Sequence, residues 1–546
     1  MCVRRDGSGA AGGRAGGRGT GRGRAAARGT GEHDLAGVRV VGDLEGLGLE
    51  LEDLVGERGE RRLLHGDSFN WCGRWVLLVV PSHQNRSHLH RTRRTAVTSL
   101  TGSVSALAAR PAGPCPIMDG MTERAEPAER AELPGLAALV RPLTTFYLDL
   151  HRHPELSGAE ERTAGRFADW LEAAGYETTR GIGGHGVAGV LRGGEGPTVV
   201  LRAELDALPV RETTGLAYAS EGEAAHACGH DLHLAAAAGA ASLLARSPQA
   251  RRGTLIVVGQ PAEETLEGAR AMLADGLYER TGRPDAVLAQ HAAPLPSGMV
   301  AHGYGPMTAG SVTFAIVVHG RGGHAGAPHL TVDPVVTAAH VVTRLQTVVA
   351  REAAPSEQVA VTVGAFHAGD RANVVPDRAE LAVTVRAAGQ AALARAAAAV
   401  ERIVRAECAA ADCPREPEVV RVSSSPVTHP DPATTAAVRS AHLAEFGPGR
   451  VAMWPPSLAT EDFALFGDAG RELHGAEGVR LAYWMLGVIG PAAWSAAPGA
   501  DAAQKLAALP ANHAPDFAPD VRTALPAGVR ALTAAALTCL AAPPEA

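Results

Sequence analysis

Lysine is almost missing from this chain: Lys505 stands alone beside 50 arginines in 546 residues. Aromatic residues are scarce too, at 4%, so any core must be built from aliphatic side chains and alanine. No apolar run approaches the roughly 20 residues that span a bilayer; the longest near the start, WVLLVV at 75–80, is far too short. Arg4 and Arg5 are followed by glycine and arginine rather than an apolar segment, so a twin-arginine export signal is not expected. The seven cysteines are scattered, with no CxxC pair and no disulfide framework, and a reducing cytoplasm is the expected compartment. There is neither a Walker lysine loop nor a GxSxG elbow, which removes the warrant for an NTPase or a serine hydrolase. A glycine fingerprint at 181–186 follows a helix-like stretch and precedes a strand-like one. A dinucleotide site needs the opposite order.

What is present is histidine beside cysteine and carboxylate. His226, Cys228, His230 and His233 fall within HACGHDLH, a soft thiolate among imidazoles that suits a borderline metal such as zinc, manganese or cobalt. Downstream come QPAEE after the apolar run TLIVVG, His291 in QHAAP, His324 in GRGGHAGAPH and His513 in ANHAPDF. A two-metal hydrolase needs one anionic ligand able to bridge the ions, end ligands on each, and one carboxylate free to take a proton from water. Cys228 can bridge; His230, Glu264, His291 and His513 can end-ligate; Glu263 remains as base. Neighbouring residues at a strand end point to opposite sides, so the Glu pair can serve both metal and water.

In order, LHRHPELSGAEE, RAELDALPV, HACGHDLH, QPAEE, QHAAPLPSG, HGRGGHAGAPH, NVVPD, TEDFA and NHAPDF run from about residue 150 to 517. With these motifs the chain resembles the M20 metallopeptidase family, in its amidohydrolase subgroup of hippurate and auxin-conjugate hydrolases. The resemblance implies two divalent ions (zinc, manganese, cobalt or nickel) on Cys228, His230, Glu264, His291 and His513, with Glu263 as general base. It implies that His324 stabilises the oxyanion, often across a subunit boundary, and that Asn373 and Arg386 hold substrate. Two departures stand out: Glu204-Leu205-Asp206 replaces an Asp-x-Asp, leaving Asp206 to orient a ligand histidine, and Thr460 replaces a serine before Glu461. His226 and His233 are expected to support or pack, and His151 and His153 to be structural.

The resemblance implies an α/β fold: an exopeptidase-like catalytic domain, with a mixed sheet and flanking helices, interrupted by a two-layer α+β lid that often dimerises. Helix-like stretches fall near 135–152, 159–175 and 231–246, with strands near 187–192, 198–203 and 254–259. A β-α-β-β-α run follows at 311–319, 333–353, 358–366, 379–387 and 388–411. The divisions are therefore 1–117, 118–308, 309–420 and 421–546.

Residues 1–117 carry 17 arginines against 11 acidic residues, a net of +6, leaving −13 for the rest. This Gly/Arg-rich leader cannot offset its ordering entropy. It is expected to be disordered, or upstream GC-rich DNA read from an early start, with Met118 or Met121 as the natural beginning. The functional alternative is a basic nucleic-acid tail, although neither a nucleic acid nor a membrane is an expected partner. The activity expected is hydrolysis of N-acyl amino acids or related aryl-acyl conjugates, small molecules bound by a cytoplasmic homodimer. A metallo-dipeptidase or carboxypeptidase, or a non-catalytic binding protein on the same scaffold, are the alternatives.

Overall fold

Two sheets organise the chain. The computed structural model describes residues 133–247 and 252–541, together with the short stretches 34–35 and 38–39. Those two stretches form an antiparallel ladder in which Asp34 faces Arg39; the other expectations for the leader lie outside the described residues. The first long elements are helices α1 (Leu136–Arg152) and α2 (Glu161–Ala173), strands β1 (Glu177–Ile182), β2 (Gly186–Arg192) and β3 (Thr198–Glu204), helix α3 (His230–Arg246) and strand β4 (Thr254–Gln260). Next come β5 (Ala286–Pro296), β6 (Val300–His302), β7 (Thr308–His319), α4 (Pro334–Thr347), β8 (Val359–His367), β9 (Arg378–Ala387), α5 (Gln390–Ala410) and β10 (Glu418–Ser425). The chain closes with α6 (Pro432–Phe446), β11 (Val451–Met453), β12 (Ser457–Thr460), β13 (Arg480–Ile489) and α7 (Val521–Ala541).

The larger sheet has eight strands in the order β11-β6-β13-β5-β3-β4-β2-β1. Its four central strands, β13, β5, β3 and β4, are parallel, and three more pairings, β13–β6, β4–β2 and β2–β1, are antiparallel. Parallel strands covered on both faces read as near-continuous apolar runs, as TVVL and TLIVV do. Side chains still alternate: Val199, Leu201, Leu255 and Val257 enter one core, while Val200, Ile256 and Val258 enter the other.

Helix α3 lies in the first of those cores and is buried all round from His230 to Leu244. Its alanines let α1 and α7 approach closely, which is how a chain poor in aromatics still packs densely. Helix α7 is, among the described residues, the one helix long and apolar enough to cross a membrane. Arg522 and Arg530 interrupt it, so it is not a single apolar run in the sequence. Much of it, including Leu525, Val529 and Leu532, is buried in the same core as α3.

The second sheet runs β8-β9-β7-β10, all antiparallel, with β12 joining β7 in parallel. Burial alternates along β9, and α4 and α5 cover the buried side. The expected 333–353 helix is instead α4 followed by a π-turn at Val348–Glu352. Strand β10 continues to Ser425, so this sheet includes residues past 420. The 181–186 glycines turn the chain from β1 into β2, a hairpin with no following helix. The structure is therefore a mixed α/β fold with a second, two-layer part.

Candidate metal centre

Chemistry gathers at the carboxyl ends of the parallel strands, where open α/β sheets place their sites. Strand β3 ends in Glu204 and leads to Asp206, β4 ends at Gln260 and delivers Glu263 and Glu264, and β5 carries His291. Helix α3 begins at His230. Gly229, at φ 86°, makes the turn between Cys228 and that helix, and a Cβ there would lie 2.9 Å from the Ala292 side chain. Only glycine accepts both constraints.

Two donor groups share one sulfur. Cys228, His230 and His291 converge, and so do Cys228, Glu264 and His513, with the donor atoms of each group within 4.8 Å of one another. Cys228 Sγ lies 3.4 Å from His291 Nε2, and His513 Nε2 lies 3.5 Å from Glu264 Oε2. His230 Nε2 is 3.7 Å from Glu263 and 3.9 Å from Glu264. His230 Nε2 and Glu264 Oε1 are buried without a hydrogen bond, a costly state unless something else fills their coordination. His513 has a left-handed backbone, φ 71°, and its N–H donates to Ala227 O at 2.8 Å, which pins His513 to the Cys228 segment.

The electrostatics point the same way. Burial, and then the Glu264 charge, push the Cys228 thiol up to about 12. Burial, then the Glu461 and Glu264 carboxylates, raise Glu263 well above the carboxylate range, and burial also raises Glu264. Burial holds His291 neutral, with its pKa lowered to about 3. A neutral imidazole and carboxylates lacking positive charge are what divalent cations complete.

Surrounding groups hold these donors in place. Asp206 Oδ2 accepts from Ser157 Oγ at 2.8 Å and from the Glu264 N–H at 2.9 Å, while its backbone oxygen lies 2.9 Å from His230 Nδ1. Asp206 thus touches both His230 and Glu264. The Ala292 N–H donates to His233 Nε2 at 2.7 Å, so the proton sits on Nδ1, which donates to Glu204 at 2.8 Å. With both nitrogens occupied, His233 is no ligand. His226 is a buried ring with no hydrogen bond at either nitrogen, and burial lowers its pKa to about 4.

Arg202, fully buried, knits the floor. It donates to Glu204, to Glu461 at 2.8 Å, to Asp462 at 3.0 Å and to Gln260 at 2.8 Å. The Tyr483 hydroxyl adds a bond to Glu461 at 3.3 Å. Asn512 donates to the Cys228 and Ala292 carbonyls at 3.3 and 3.1 Å. Arg202 and Asn512 were not among the residues expected here, although both sit inside motifs named above; a single cation inside the apolar stretch TVVLRAE was the available signal for Arg202.

His324, Asn373 and Arg386 come from the segment that carries the second sheet, between β7 and β10. Among the described residues, no hydrogen bond or ion pair joins them to the cluster. His324 and Val374 pair in a two-residue ladder, the Ala325 N–H donates to Asn373 O at 3.1 Å, and Arg386 donates to Leu458 O at 2.9 Å. His151 is buried between Asp231 at 2.7 Å and Glu212 at 3.2 Å, and His153 bonds the Asp149 carbonyl at the end of α1.

Comparison with known proteins bears on this arrangement. The family described as Peptidase family M20/M25/M40 matches residues 200–501, more than half of the chain. N-acetylcysteine deacetylase of Bacillus subtilis (strain 168) is 39% identical over 242 residues, 44% of this chain and 63% of that protein. Hippurate hydrolase of Campylobacter jejuni is 42% identical over 241 residues, 44% of this chain and 62% of that one. The matched stretch therefore spans somewhat under two thirds of these relatives. Among solved structures, the Bacillus subtilis YXEP protein, described as a dinuclear metal binding peptidase from the M20 family, superposes with a TM-score of 0.58 at 28% identity. That match covers 74% of this chain and 99% of the other.

Proposed function

The chain belongs to peptidase family M20/M25/M40, and we propose that it is a two-metal amidohydrolase cleaving N-acyl amino acids or related aryl-acyl conjugates. One observation carries the reading: Cys228 belongs to both donor groups, with His230 and His291 on one side and Glu264 and His513 on the other. Two divalent ions, whether zinc, manganese, cobalt or nickel, fit that set; when bound, they acidify a water and polarise the scissile carbonyl.

The remaining work falls to side chains. Glu263 is the carboxylate of the QPAEE pair outside the two groups that share Cys228. It accepts a proton from the attacking water and returns it to the leaving amine nitrogen. Asp206 orients His230 and the Glu264 backbone, and Asn512 steadies the Cys228 segment. The Gly326 N–H donates to His324 Nδ1 at 2.8 Å, so the neutral ring carries its proton on Nε2 and can donate it to the oxyanion. Asn373 and Arg386 recognise the substrate carboxylate and amide. In this reading the protein is a homodimer in which the inserted lid, 309–420, presents His324 to the catalytic parts, 118–308 and 421–546, of its partner. A cytoplasmic setting suits the free thiols.

The test is a substrate panel with the metal-loaded protein. N-acetyl, N-benzoyl and indole-acyl amino acids should turn over faster than dipeptides with free amines; the reverse order would make it a peptidase. Mixing His324→Ala with Glu263→Gln chains should restore activity if the histidine acts across subunits. No recovery after demonstrated subunit exchange would place His324 in its own chain's site.

A further inference from the structure

Far along the inserted part, two thiols meet that the proposed hydrolysis does not use. Helix α5 ends at Ala410, and Asp412 follows in the left-handed region at φ 53°. The Cys413 N–H donates to Cys408 O at 3.1 Å, and the Asp412 N–H to Ala409 O at 3.2 Å. These two bonds form a Schellman helix stop, in which the residue just past the left-handed position packs against a residue of the last helical turn, usually as an apolar pair. Here that pair is Cys408 and Cys413.

A bond spanning those six residues folds the backbone back on itself. It brings the two Cα atoms towards the separation of about 4.4–6.8 Å that a disulfide needs. Access is provided as well. Cys408 is buried and Cys413 half-buried, and both line a groove of about 320 Å³ with Pro414, Arg415 and Glu416. The other described cysteines differ: Cys228 belongs to the metal cluster, and Cys539 is buried in the core of α7.

We propose that Cys408 and Cys413 are a reversible thiol-oxidation site on the inserted part, closing to a disulfide in exchange with small-molecule disulfides. In the first step the Cys413 thiolate attacks one sulfur of the small disulfide. A mixed disulfide forms on Cys413, the S–S bond of the reagent breaks, and one small thiol departs. Cys408 then loses its proton to solvent and attacks the Cys413 sulfur, expelling the second small thiol. Two protein thiols are oxidised and one small disulfide is reduced to two thiols. Capture falls to Cys413 because it is the less buried of the two. Burial, and then the Cys413 sulfur beside it, push Cys408 up to about 12, so Cys408 attacks through the small fraction of it that is ionised. The resulting ring ties the end of α5 to the segment entering β10 and leaves the metal cluster untouched.

Trypsin tests this directly, because cutting after Arg405 and Arg415 places both cysteines in one peptide, residues 406–415. Full-length, metal-loaded protein would be equilibrated with oxidised glutathione, alkylated and digested. The expected peptide is two hydrogens lighter than its reduced form, unalkylated, and restored by dithiothreitol. Cys408→Ser should instead hold a lasting glutathione adduct on Cys413, Cys413→Ser should leave Cys408 free, and both should match wild-type turnover when reduced. The proposal is overturned if both wild-type thiols alkylate fully, or if the Cys413 adduct lasts as long in wild type as in Cys408→Ser.

Discussion

The buried carboxylate of Glu160 accepts the backbone N–H of Ala262 at 2.8 Å, reaching across 102 residues of sequence. Ala262 is held at φ 49°, a left-handed conformation that costs a non-glycine residue on the order of 1 kcal/mol or more. It immediately precedes Glu263 and Glu264, so this bond helps set where both carboxylates point. Glu160→Ala should lower kcat about 10- to 100-fold with little change in KM, while Glu160→Gln, which keeps an acceptor oxygen, should recover most of it. Equal losses in both variants would show that the bond to Ala262 is not what matters.

The adjacent glutamates should separate in experiment. Glu263→Gln should retain metal and lose about 100- to 10,000-fold in turnover. Glu264→Gln should arrive metal-depleted and regain part of its rate on metal addition, and Cys228→Ala should be worse because it serves both donor groups. Elemental analysis beside turnover decides between them. A metal-poor Glu263→Gln with a metal-replete Glu264→Gln would reverse the assignment.

Arg202 is the counter-charge of three buried carboxylates, Glu204, Glu461 and Asp462. Burial already raises Asp462 to about 7 despite the guanidinium. Arg202→Met keeps the volume and strands the anions, so urea unfolding should show a loss of about 3–5 kcal/mol. A loss below about 1 kcal/mol would mean that the carboxylates take up protons at little cost.

His151 predicts a pH dependence of stability. Burial works to lower its pKa, but the Asp231 hydrogen bond and the Asp231 and Glu212 charges raise it to about 9. A histidine raised above its unfolded value of about 6.5 contributes stability that is complete below that value. The contribution then fades as pH rises through 9. Wild-type protein should therefore lose stability between pH 6.5 and 9, on the order of a few kcal/mol, and His151→Gln should flatten that slope. Parallel curves would place the titration elsewhere.

Most of the elements before residue 260 were legible because apolar runs bounded by polar and turn residues mark them, although strand β1 was not foreseen. The predicted strands 187–192, 198–203 and 254–259 and helix 231–246 fall within a residue of those observed. The C-terminal part was not: β13 and α7 are apolar segments whose type depends on length and on what covers them.

Within the site, the residue types by themselves determined the chemistry. A thiolate, imidazoles and paired carboxylates in fixed order are a donor set suited to borderline divalent ions, with one carboxylate to spare for a proton. Tertiary structure decided which of them do what. His230 and His233 look equivalent three residues apart, yet the Ala292 N–H closes the lone pair of His233 while His230 Nε2 stays open. Glu204 and Asp206 look like one acidic motif, yet Arg202 takes the first, and Ser157 with the Glu264 backbone takes the second. A sequence lists donors; only the partners brought close by folding determine which lone pairs remain for a metal, since a buried polar atom goes to whatever can satisfy it.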